Sequence, residues 1–238
     1  MIAAKTGLNS FTLKMIAIAA MLIDHLAWAF VETASPAGQL MHVIGRLTAP
    51  IMCYFIAEGY FHTRSLPRYM LRLAAFAVLS QIPYSLCFRG EWFQLVPMSM
   101  IVTLFLGLIA LTACDRLQSR FLAVLVVIIC CTIALYADWS AFGVLFVLAF
   151  GLNRGNFKMQ AIWLIVTAVV MVAIMTLMSW RFGGPLYENL YILGVVLTLP
   201  LLRIYNGERG GFRGSKWIFY IFYPAHLLVI GVLNLYIL

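Results

Sequence analysis

The chain has 238 residues, of which 64% are hydrophobic and only 10% charged, with a formal net charge of +8. A soluble protein of this length must present far more polar surface to water, so that class is excluded. Apolar runs of about twenty residues recur from end to end, the length a helix needs to cross a hydrocarbon core of roughly 30 Å.

About nine such runs follow one another, at 12–31, 41–61, 68–88, 95–114, 121–136, 139–153, 158–178, 187–202 and 216–238. They predict an all-α, polytopic membrane helix bundle forming a single domain over residues 1–238. The fifth and sixth runs are short and separated only by Asp138 and its neighbours, so a merged or re-entrant pair is the alternative there. The first run is longer than a signal-peptide core and is broken by Asp24 and His25, which predicts a retained helix rather than a cleaved leader. The five cysteines show no CxxC spacing and predict neither a metal centre nor a disulfide framework.

Basic residues cluster at alternate connections, because cytoplasmic loops retain Lys and Arg. Lys5 and Lys14 precede or open the first run. Arg64, Arg68 and Arg72 surround the second connection, Arg116 and Arg120 the fourth, Arg154 and Lys158 the sixth, and Arg203, Arg209, Arg213 and Lys216 the eighth. Only Arg89 and Arg181 fall at the other connections. This pattern predicts a cytoplasmic N-terminus and an outer C-terminus, and it reads the excess positive charge as topology rather than as a nucleic-acid surface.

Charged side chains inside a bilayer are expensive and need a partner or a task. Lys14 and His25 are eleven residues, or three turns, apart on one helix face, with His25 about 16 Å deeper. Arg46, Gln81 and His226 also fall within apolar runs. Asp24 and Arg46 are expected to pair, since either alone would be an uncompensated buried charge. Asp24 points about 100° away from His25 and cannot easily orient it. Glu58, His62, Arg64, Arg68 and Arg72 crowd a connection containing Pro67, where Arg68 and Arg72 project together as a patch suited to phosphates. In the last run Pro224 predicts a kink beside Tyr223 and His226, which are three residues apart.

The stretches 13–28 (LKMIAIAAMLIDHLAW), 45–73, 79–84 (LSQIPY) and 219–233 (FYIFYPAHLLVIGVL) resemble the TraX family, whose founding member acetylates the N-terminus of a conjugative pilin. The Lys14 and His25 spacing is also similar to that of the membrane acyltransferase-three superfamily. The resemblance implies an acetyltransferase of the inner membrane that takes acetyl-CoA as donor and passes the acetyl group to an amine or hydroxyl of a peptide or glycan. It implies His25 as general base or acyl carrier, with Asp24, Arg46, Glu58 or His226 orienting it or stabilising charge. Lys14, Arg64, Arg68, Arg72 and Tyr223 are then the expected donor-binding residues. A small transporter and a non-catalytic assembly scaffold are the competing classes, since intramembrane charges also mark substrate pathways.

Overall fold

In a computed structural model the described residues are 6–237, without the side chains of Lys216, Tyr236 and Ile237. Lys5 and Leu238, which the sequence reading used, lie outside them. Among the described residues every regular element is helical: α1 (Ser10–Phe30), α2 (Pro36–Gly45), α3 (Thr48–His62), α4 (Leu66–Arg89), α5 (Met100–Arg116), α6 (Arg120–Ala134), α7 (Ser140–Leu152), α8 (Phe157–Arg181), a 3-10 segment Leu190–Leu197, α9 (Thr198–Arg203) and α10 (Lys216–Ile237).

Each predicted run coincides with a helical element, with two corrections. The second run is two helices, α2 and α3, interrupted at Arg46 and Leu47. The eighth is mostly 3-10 and becomes α-helical only from Thr198. The weak fifth and sixth runs are separate helices, α6 and α7, divided by a tight turn in which Trp139 and Ser140 have positive φ. Among the described residues five stretches are long and apolar enough to cross a membrane: α1, α2 with α3, α4, α8 and α10.

Local chemistry explains the ends. Asn9 caps α1 through Thr12 N at 3.0 Å, Ser35 caps α2 through Gly38 N at 3.0 Å with Pro36 in the first turn, and Gly90 ends α4 in the left-handed conformation. α8 is the most apolar of the five long stretches, with mean hydropathy 2.6, yet only 22% of its most apolar window is covered by protein. Such a surface has no place in water and requires lipid.

α5 and α7 pack tightly because Gly107 faces Val147, Gly143 faces Thr103 and Gly151 faces Leu111. α10 lies along α4, and α1 packs on α2, α3 and α10. The connections gather at two ends. At one, Leu8 pairs with Tyr205, the Tyr60 hydroxyl donates to Asp115 at 2.5 Å, and Arg154 reaches Glu58 at 3.0 Å. At the other, Met98 pairs with Ala137, and Gln39 Nε2 donates to the Glu188 carbonyl at 2.8 Å. The first end carries Arg64, Arg68, Arg72, Arg116, Arg120, Arg154, Lys158, Arg203, Arg209 and Arg213; the opposite end carries Arg89 and Arg181.

Candidate active site

His25, three-quarters of the way along α1, is buried, and its Nδ1 lies 2.6 Å from Nε2 of His226 on α10. The two rings are nearly parallel, 5° apart, and the ring of Phe88 closes on His25 edgewise at 5.5 Å. His226 Nδ1 lies 2.7 Å from the Phe222 carbonyl. A carbonyl only accepts, so His226 carries its proton on Nδ1 and presents a bare Nε2. His25 must then donate from Nδ1, which leaves its own Nε2 unprotonated. That nitrogen has no protein partner among the described residues. The Phe222 carbonyl thus sets the tautomer of His226, which sets that of His25, and the result is an unprotonated, unpartnered nitrogen on His25.

His25 lines the smaller of two adjoining cavities. The larger, about 350 Å³, opens toward the basic end; Lys14, Phe55, His62, Arg72, Tyr220 and Tyr223 are among the residues lining it. Its middle is apolar. Lys14 Nζ sits 4.6 Å from the Phe55 ring centre and 5.6 Å from that of Phe219, while Arg72 Nε donates to the Tyr220 hydroxyl at 2.9 Å. The smaller cavity, about 230 Å³, lies toward the opposite end and is lined by His25, Asp24, Arg46, Tyr84, Asp138 and Trp139, among others. Met21, Thr48 and Met100 line both cavities and form the waist between them.

Asp24 does not touch His25. Its Oδ2 accepts from Arg46 Nη2 at 2.5 Å and its Oδ1 lies 2.8 Å from His42 Nδ1, so the carboxylate ties the interruption between α2 and α3 to α1. A side chain at Gly45 would collide with Asp24, which is why this close approach has glycine. The Arg46 guanidinium spreads over Trp139 at 4.6 Å and Tyr191 at 5.2 Å, as a planar cation does on aromatic faces. In the turn between α6 and α7, desolvation pushes the Asp138 carboxyl up to about 6, with the Arg46 guanidinium acting in the opposite direction.

The remaining expected residues fall into three groups. Lys14, Arg72 and Tyr223 line the larger cavity. Arg64 and Arg68 are exposed at the same end but do not line it. Glu58 lies at the basic end, paired with Arg154 at 3.0 Å and with His62 at 3.2 Å, and lines neither cavity. Gln81 likewise turns away from the cavities. Its amide donates to the Gln94 and Pro97 carbonyls at 2.8 and 2.9 Å and accepts from Ser99 N at 3.0 Å, which pins the loop before α5.

His42, Asp138 and Tyr220 were not singled out as site residues. His42 alone carried a signal, standing four residues before Arg46 and so on the same helix face. The position of Asp138 depends on a tertiary turn that no local pattern encodes.

The TraX protein family model matches residues 10–234, from the first turn of α1 to the last turns of α10. The chain belongs to the TraX family. All ten residues expected from the sequence to act in catalysis or donor binding fall within the matched span. The chain is also 30% identical over 229 residues to a probable fimbrial assembly protein, FimC of serogroup H1, from Dichelobacter nodosus; the match covers 93% of this chain and 94% of that protein. No solved structure matches this TraX chain.

Proposed function

We propose that this TraX protein is a multi-pass acetyltransferase of the cytoplasmic membrane. In this reading the chain crosses about nine times, α2 with α3 counting as one crossing, and its N-terminus and basic end face the cytoplasm. The donor is acetyl-CoA. The acceptor is an amine or hydroxyl, a pilin-like peptide N-terminus or a glycan, and the fimbrial assembly name of the Dichelobacter relative favours the peptide.

The observation that carries the reading is the unprotonated Nε2 of His25, held by His226 beside the junction of two cavities. The larger cavity has in its lining cations suited to a donor nucleotide, Lys14 and Arg72, and mostly apolar walls suited to a slender acyl-bearing arm. The smaller cavity opens a separate approach for the acceptor from the other side of the waist.

Chemistry follows from that arrangement. With the thioester at the waist, the acceptor nitrogen or oxygen attacks the carbonyl carbon while His25 Nε2 takes its proton. The C–S bond then breaks, and the imidazolium returns the proton to the departing coenzyme A thiolate. Acetylated acceptor and free coenzyme A are the products. His226 is a positioning residue: it holds the tautomer and shares the charge that develops on His25.

Calorimetric titration of acetyl-CoA into detergent-purified protein tests the donor without knowledge of the acceptor. Saturable binding that Arg72→Ala weakens and His25→Ala leaves intact supports the proposal. Folded protein that binds no acetyl-CoA up to millimolar concentration overturns it and favours a transporter.

A further inference from the structure

Between α9 and α10 the chain runs N-G-E-R-G-G-F-R-G-S from Asn206 to Ser215. This segment is fastened over the start of α1. Ser10 N donates to the Glu208 carbonyl at 2.8 Å, Phe11 N donates to that of Arg209 at 3.0 Å, and the Ser10 hydroxyl donates to the Arg209 carbonyl at 3.0 Å. Gly210 and Gly211 both have positive φ, and a side chain at either would strike Asn9 or Phe11, so glycine is needed for the loop to lie so close. The amides of residues 209–214 donate to no carbonyl among the described residues. Arg209 and Arg213 have no carboxylate partner there either.

The loop encloses a basin of about 560 Å³ lined by Arg209, Phe212, Arg213 and Trp217 together with its glycines. Arg209 also lines a small cavity of about 40 Å³ whose other walls include Lys14 and Phe219. Lys14 and Phe219 in turn line the cavity of about 350 Å³ that reaches the waist. A chain of shared residues therefore leads from the basin, past Lys14, to the waist, on whose other side lies the smaller cavity that His25 lines.

We infer that the Arg209–Gly214 loop binds the phosphate groups of the nucleotide end of the acyl donor. A glycine-rich turn whose amides have no carbonyl partner is a backbone arrangement suited to anions, and two arginines supply charge. The exposed Arg64 and Arg68 are then not the principal phosphate ligands, although they stand at the same end. This inference rests on the acetyl-CoA reading above. A lipid phosphate offers similar chemistry, but the route from the basin through Lys14 to the reacting centre matches a ligand with a phosphorylated head and a threaded arm.

Acetyl-CoA and S-acetylpantetheine, which lacks the nucleotide, are titrated into protein in phosphatidylcholine nanodiscs, for wild type and for Arg209→Ala, Arg213→Ala and Arg68→Ala. Wild type is expected to bind acetyl-CoA at least about tenfold more tightly than S-acetylpantetheine, the scale of one lost charge-assisted hydrogen bond. Arg209→Ala and Arg213→Ala should each weaken acetyl-CoA by about tenfold and leave S-acetylpantetheine unchanged, with Arg68→Ala having a smaller effect. Wild-type binding of acetyl-CoA no tighter than S-acetylpantetheine overturns the inference without help from any variant. So do loop variants that bind acetyl-CoA like wild type, including the case where they lose only a response to added phosphatidylglycerol, which assigns the loop to lipid headgroups. Both results leave the donor assignment standing. Failure of wild type to bind either compound overturns the donor assignment and this inference together.

Discussion

At the scale of single residues, the histidine pair and the Asp24 cluster make different demands. His25→Ala should lower turnover by about 10²–10⁴-fold, the usual worth of a positioned general base, with donor affinity unchanged; single-turnover transfer from labelled acetyl-CoA measures it. On the proposed mechanism His226 acts by accepting from His25 Nδ1. His226→Gln offers a carbonyl oxygen for the same task and should retain more activity than His226→Leu. The pH–rate profile should shift in both, which a purely structural role would not produce. Asp24 answers instead to Arg46 and His42. Asp24→Ala strands a buried guanidinium and should cost about 3–5 kcal/mol of stability, read from thermal unfolding in detergent, whether or not donor is present. Polarity inside apolar runs was enough to single out His25, His226, Asp24 and Arg46 from the sequence, and the Asp24–Arg46 pair followed from charge alone. The contact between His25 and His226 was not legible, because it depends on how α1 and α10 meet across 201 positions. For Glu58 the nearby partner His62 was legible four residues on, but Arg154, 96 residues away, was not.

Among elements, run length located the helices well because the bilayer dimension that sets it is written into composition. What composition could not reveal is backbone irregularity. The interruption at Arg46 and Leu47 lies inside an apolar run, and the 3-10 segment Leu190–Leu197 is as hydrophobic as an α-helix. Both serve the site. The interruption aims Arg46 at Asp24, and Gly194 of the 3-10 segment brings its backbone against Val43 of α2. Gly45→Ala should force α1 and α2 apart at this point and cost about 1–3 kcal/mol, with Asp24 displaced; unfolding midpoints of the variant and wild type compare directly. Gly155→Ala, where a side chain meets open space, should cost less and only through its positive φ.

For the whole molecule, the two-ended distribution of arginines makes an orientation measurable. Single cysteines at Gly155 and Gly183, both with open space around them, should label from opposite sides of sealed vesicles: position 155 from the cytoplasmic side and position 183 from the other. Labelling from one side would remove the odd number of crossings between them. The waist of Met21, Thr48 and Met100 has a further meaning in a membrane that holds a voltage. On the proposed reading the two cavities serve opposite compartments, and water joining them would discharge the ion gradient in which a cell stores energy. The flexible thioether side chains of Met21 and Met100 at the join would then act as a yielding apolar seal, passing an acetyl group while ions find nothing to replace their hydration. The same join would keep the membrane electrically tight.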